Sequence, residues 1–175
     1  MRTSYLIEHQ LEMVLAALTP GNRLVCRVML ETGLRISDVV ELPREAVNTS
    51  FTVTEKKTGK RRRVRLSRDL VDEVLAASDG SPWAFPSPGR PETHRTRQAV
   101  WKDIKRAQRA FRLPVNAAPH SMRKVYAVDL MHKYGDIQRV QRALNHDHYD
   151  TTILYAMADQ LPDVRRRKRK KKLDR

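Results

Sequence analysis

Arg35, His120, Arg123, His146 and Tyr155 are the residue types that holding a phosphodiester and attacking it with a phenol would need. His120-Ser121-Met122-Arg123 sets an imidazole and a guanidinium one helical turn apart, and His146 precedes Tyr155 by nine residues. A phosphodiester is anionic and becomes more so under attack, which paired guanidinium N–H donors can answer with fixed geometry. Arg35 and Arg123 are the candidates for that role. Pro119 stands directly before His120, so both His120 and Arg123 fall in the first turn of an expected helix, where the backbone N–H groups also favour a phosphate. A phenol has a pKa of about 10 and needs a positive field and a proton acceptor to react at neutral pH. Tyr126, Tyr134 and Tyr149 are other phenols, and His148 is a neighbour of His146. His146 and His148 flank Asp147, yet no third or fourth ligand accompanies them, so no metal site is expected.

These side chains need a scaffold, and the apolar spacing predicts a mainly α-helical one with a small antiparallel hairpin, an α+β arrangement. Leu6, Leu11, Val14, Leu15 and Leu18 share a helical face that Thr19-Pro20-Gly21-Asn22 ends. A second helix runs through Leu24, Val28, Met29 and Leu30 to Gly33, and a short third through Ile36, Val39, Val40 and Leu42 to Pro43. Phe51–Thr54 and Arg63–Leu66 read as strands joined across Lys57-Thr58-Gly59-Lys60. Ser67 is an expected N-cap for a helix through Leu70, Val71, Val74 and Leu75. Ser81–Pro91, with four prolines, is expected to be irregular, and Thr93–Phe111 to be a basic helix. Leu113–Pro119 is a loop, His120–Tyr134 a helix stopped at Gly135, and Ile137–Leu144 and Thr151–Ala158 two closing helices.

The chain has 175 residues, 40% of them hydrophobic, which is enough for one domain with a real core. Its formal charge is +15; the segment Arg165–Arg175 carries nine basic residues and one acid, so the rest is basic as well. A polyanion is the implied partner, nucleic acid first. The single cysteine, Cys26, excludes an internal disulfide and fits a reducing, intracellular setting. Glu8 interrupts the first apolar stretch and no run of about 18 apolar residues follows, so neither a signal peptide nor a membrane span is expected.

Thr32-Gly33-Leu34-Arg35-Ile36-Ser37-Asp38, Lys56-Lys57-Thr58-Gly59, His120-Ser121-Met122-Arg123 and Leu144-Asn145-His146 with Tyr155 together resemble the catalytic domain of the tyrosine recombinases, the phage integrase family. The resemblance spans the chain to about Ala158. It implies that Tyr155 is the nucleophile, forming a 3′-phosphotyrosyl link and a free 5′-hydroxyl. His120 would be the general base and His146 a donor to the same phosphate. Lys57 would protonate the leaving oxygen, with Lys56 or Lys60 as substitutes, and Asp38 would buttress the arginine. It further implies double-stranded DNA as partner, a tetramer assembled on DNA, and no ATP, metal or other cofactor. No small-molecule substrate is expected, and the location would be the cytoplasm of a prokaryote or of a phage's host.

Lys56, Lys60, Arg61, Arg97, Lys102, Lys105 and Lys124 are expected to touch DNA, with base choice assigned to the helix Thr93–Phe111. Asn145 stands where the family most often has glycine and Lys124 where a histidine is frequent; neither should remove the chemistry. The expected organisation is a catalytic domain over 1–164 and a disordered basic tail over 165–175, without the N-terminal DNA-clasping domain common in the family. If the tail grips about six phosphates, DNA affinity falls with salt on a log–log slope of roughly −5. Two rival readings remain: an accessory DNA-binding protein that keeps the fold without useful catalysis, and a type IB topoisomerase-like relaxing activity.

Overall fold

The computed structural model describes residues 3–144. The chain divides into two compact units, Met1–Tyr126 and Ala127–Arg175.

The first unit is organised around one helix. After α1 (Glu8–Ala17), helix α2 (Pro20–Thr32) packs against α1, against α3 (Ile36–Val40), and against the later α4 (Arg68–Ala77) and α5 (Arg97–Ala110). Its residues Leu24, Val25, Cys26, Val28 and Met29 are all buried, so nearly its whole circumference is core. Pro20 occupies the first turn of α2, where its missing N–H costs nothing and its fixed φ suits a helix start. The tetrapeptide expected to close α1 therefore opens α2. Gly33 closes α2 in the left-handed region at φ 64°, and its N–H donates to the Met29 carbonyl at 2.8 Å. Burial, helped by the nearby Asp103 carboxylate, pushes the Cys26 thiol up to about 12, which leaves it an inert core group.

Strands β1 (Ser50–Thr54) and β2 (Arg61–Arg65) form the expected antiparallel hairpin, paired Phe51↔Val64 and Val53↔Arg62. Phe51, Val53 and Val64 point into the core while Thr52, Arg61 and Arg63 face solvent, the two-residue alternation of a half-buried sheet. A second hairpin, β3 (Pro86–Ser87) with β4 (Arg90–His94), lies where an irregular connection was expected. Proline cannot donate to a ladder, so the segment reads as loop in sequence; a two-residue strand beside a Gly89 turn at φ 72° accommodates it. The basic helix accordingly starts later than expected. Thr93 and His94 belong to β4, and Thr96 caps α5 by accepting from the Ala99 N–H at 3.1 Å.

Asp103 on α5 pins this helix to the α1–α2 junction. It accepts from the Thr19 N–H and hydroxyl, each at 2.9 Å, from Asn22 Nδ2 at 2.7 Å and from Arg106 Nε at 3.0 Å. Helix α6 (Pro119–Tyr134) then begins, with its first residues to Tyr126 in this unit.

The second unit contains the rest of α6 and α7 (Ile137–Leu144). Gly135, at φ 63°, donates to Met131 and ends α6. Asp136 caps α7 by accepting from the Gln138 N–H at 2.8 Å. Among the described residues no helix is long and apolar enough to cross a membrane.

Candidate functional site

Arg35 caps the start of α3 in extended conformation, directly after the turn that Gly33 makes. Its guanidinium forms an ion pair with Glu55, a residue immediately beyond β1 whose carboxylate is wholly buried. The Arg35 side chain keeps 17% of its surface exposed, so one side of this pair is open to solvent. Glu55 is inward-facing because it continues the alternation of Phe51 and Val53.

Arg62, on β2, joins the same carboxylate: its Nη1 lies 3.6 Å from Glu55 Oε1, and its other terminal nitrogen donates to the Thr32 carbonyl. Arg123, in the first turns of α6, is 1% exposed and donates to the carbonyl of Gly33. Two guanidiniums thus converge on the adjacent carbonyls of Thr32 and Gly33, just ahead of Leu34 and Arg35. Burial draws Arg123 down to about 10, and the Arg35 and Arg62 charges act in the same direction, opposed by Glu55 and Asp38. Burial also lowers Arg62, against the pull of Tyr126, Glu55 and Asp38.

The turn of the first hairpin is tied to this cluster. Glu55 accepts from the Gly59 N–H through its backbone at 2.8 Å and from the Thr58 hydroxyl through its side chain at 3.2 Å. Asp38 Oδ1 accepts from the Lys56 N–H at 3.1 Å, so this acid, expected to buttress the arginine, anchors the lysine turn to α3. The Lys56 ammonium pairs with Glu41, while Lys57 stands exposed at the tip. His120 is exposed at the N-terminal turn of α6.

The structure therefore brings Arg35 and Arg123 together and adds two partners that the sequence reading left out, Arg62 and Glu55. The signal for both was the strand period, since each lies two residues from a buried valine on the inward face. Charges on a buried face must be paired. His146 and Tyr155, like the neighbouring Tyr149 and the expected closing helix and tail, lie outside the described residues.

The expected DNA-contacting cations divide into groups. Arg61, Arg97 and Lys102 are exposed, and Lys60 is half-buried. Lys105 is turned to Gln108 at 2.9 Å and Asn116 at 2.5 Å, bracing the loop before α6. Lys124 is only 4% exposed and its ammonium donates to the Thr3 carbonyl at 2.5 Å, which removes it from any surface a phosphate could reach in this arrangement. Among the described residues no group of three or more His, Cys, Asp or Glu side chains could hold a metal ion.

The phage integrase family model matches residues 4–161. The tyrosine recombinase XerD of Bradyrhizobium diazoefficiens is 35% identical over 152 residues, covering 76% of this chain and 48% of that protein. The chain spans about half the length of the curated relatives it matches. Among solved structures, a lambda integrase dimer bound to a COC′ core site superposes with a TM-score of 0.76 at 19% identity, over 93% of this chain and 50% of that one. The lambda integrase catalytic core gives 0.70 at 20% identity, over 84% of this chain and 94% of that one. The fold is that of the lambda integrase and Xer recombinase catalytic domains, mainly helical with small antiparallel sheets.

Proposed function

The chain belongs to the phage integrase family, and from that premise we propose that it is the catalytic part of a site-specific DNA recombinase acting through a covalent phosphotyrosyl intermediate. The observation that carries the reading is the shared position of Arg35, Arg62 and Arg123 around one buried carboxylate, with Arg35 open to solvent beside a lysine-bearing turn. Such a concentration of guanidinium charge suits the non-bridging oxygens of a scissile phosphate, and it is in place before the reaction starts.

In this reading the Tyr155 oxygen attacks phosphorus as its proton passes to His120. The bond from phosphorus to the 5′ oxygen breaks, and Lys57 gives that oxygen a proton. The strand is left as a 3′-phosphotyrosyl ester and a 5′-hydroxyl. A 5′-hydroxyl from the same or a partner strand then attacks the ester, expels the phenol and restores the phosphodiester. The number of ester bonds is conserved, so the cycle needs no ATP, and guanidinium charge does the work a metal would otherwise do. His146 donates a further hydrogen bond to the phosphate. Double-stranded DNA is the partner, on which copies of the chain associate into a tetramer; a structural neighbour, lambda integrase solved as a tetramer bound to a Holliday junction, supports this.

A nicked suicide substrate, from which the cleaved 5′ end diffuses away, tests the proposal. Wild-type protein accumulates a covalent, protease-sensitive adduct, and Tyr155→Phe abolishes it while DNA binding persists. An adduct that survives in the phenylalanine variant shows that another residue is the nucleophile. Tight binding without any adduct in the wild type marks the accessory reading instead.

A further inference from the structure

The arginine cluster contains its own anion. We propose that Glu55 is a resident counter-charge that stands in for a phosphate when no DNA is bound, holding Arg35 and Arg62 together and thereby lowering the affinity of the site for a phosphodiester. The proposal rests on reading this cluster as the phosphate site.

The argument is electrostatic. Three guanidiniums, Arg35, Arg62 and Arg123, interact with one another and with two carboxylates, Glu55 and Asp38. Like charges this close repel strongly inside a protein, where the effective dielectric is well below that of water. Arg123 carries the mark of that repulsion, being held near 10 by burial together with the positive charges of its neighbours. Negative charge offsets that repulsion, and Glu55 is the carboxylate that pairs directly with two of the three, Arg35 and Arg62. One of its oxygens pairs with Arg35 and the other faces Arg62 at 3.6 Å.

Two details distinguish this carboxylate from an ordinary core ion pair. Glu55 Oε1 is buried and, among the described residues, makes no hydrogen bond, so its place is justified by charge rather than by a completed hydrogen-bond set. Its partner Arg35 is open to solvent on one side while Glu55 itself is wholly buried. An incoming phosphate can therefore reach the guanidinium from outside while the carboxylate acts on it from within. The two anions share one cation and weaken each other's hold. A stabilising group in the resting protein is thus also a restraint on substrate binding.

The test is Glu55→Gln in the full chain, because glutamine keeps the size and an acceptor oxygen while removing the charge. Thermal unfolding is followed against inorganic phosphate at fixed ionic strength, with chloride as the replacement salt. The variant melts lower than wild type in chloride alone, and its apparent dissociation constant for phosphate is roughly tenfold smaller, as expected for removing one nearby charge. The gain disappears when Arg35→Ala is added, which locates it at the cluster and not at the basic tail. A carboxylate that merely holds the fold would give unchanged or weaker phosphate binding on its removal. That result, or a gain that survives Arg35→Ala, overturns the proposal. If Glu55→Gln does not fold in chloride, phosphate must restore its helical signal at concentrations below the wild-type dissociation constant; failure to do so equally overturns it. None of these readouts involves Tyr155. A phosphate gain in a protein that never forms an adduct would keep this inference and sink the recombinase reading, and the opposite pattern would do the reverse.

Discussion

Arg123 donates to the carbonyl of Gly33, two residues ahead of Arg35, so a helix arginine from late in the chain is fastened to the turn that presents the first one. The same turn has the ring of Tyr126 packed where a side chain at Gly33 would begin. Gly33 is also in the left-handed region. Two independent constraints therefore require glycine, one conformational and one steric.

Gly33→Ala is accordingly expected to lose about 2 kcal/mol or more of stability, the sum of left-handed strain and a clash with an aromatic ring. Denaturant unfolding measures it. Adding Tyr126→Ala should not restore the wild-type value, since the φ penalty remains. A double variant as stable as the wild type would show that the clash alone matters.

Arg35→Ala should reduce cleavage of a suicide substrate by at least roughly a hundredfold, the usual effect of deleting a preorganised charge at a reacting centre. Single-turnover adduct formation is the measurement. A loss below tenfold places Arg35 outside the reacting site.

Lys57→Ala tests the leaving-group role. It should slow cleavage of ordinary DNA, yet have little effect when the bridging 5′ oxygen is replaced by sulfur. A thiol with a pKa of about 8.5 departs as the thiolate and needs no proton. If the sulfur substrate rescues Lys56→Ala or Lys60→Ala and not Lys57→Ala, the proton donor is the rescued lysine.

The buried and exposed cations should separate by salt dependence. Lys102→Ala, on the open face of α5, is expected to reduce the log–log salt slope of DNA binding by about one. Lys124→Met should leave that slope unaltered and change the melting temperature instead, because its ammonium serves the Thr3 carbonyl. Filter binding at several salt concentrations distinguishes the two.

Asp103 gives a prediction on the acid side. Burial raises its carboxyl, but hydrogen bonds from Asn22, Thr19 and Arg106 outweigh that and leave it below the ordinary carboxylate range. A lowered folded-state pKa means that its stabilisation is present above the unfolded value and disappears as pH falls through the folded one. Asp103→Asn should therefore cost about 2 kcal/mol at neutral pH, and the gap from wild type should close below a pH of about 4. A gap that is constant down to pH 2 would remove Asp103 from the acid response.

Much of this architecture was legible in the sequence because its cues are local. The apolar spacing located α2, α4 and α6, the Lys-Thr-Gly turn located the first hairpin, and His120 with Arg123 fell at a helix start as expected. The second hairpin was hidden by its prolines, and the start of α5 was drawn too early because Thr93 and His94 continue a polar, basic stretch without a break. Glu55 and Arg62 escaped for a different reason: their meaning comes from partners far away in the chain, Arg35 and Arg123. The burial of Lys124 was hidden by its charge, since helix phase sets it one turn from the buried Ser121, and a long flexible stem lets the ammonium find a carbonyl there.

The pairing of Val53 with Arg62 sets a strict limit on how the first hairpin can vary. Side chains on a strand change faces at every step, so losing or gaining one residue between the two strands would swing Arg62 out to solvent and bring Arg61 or Arg63 in. Glu55 would then face a guanidinium presented from a different height along the ladder. The turn is therefore locked in length as well as in its key residues, and a single-codon insertion there would disarm the site while leaving every proposed reactive residue in the chain.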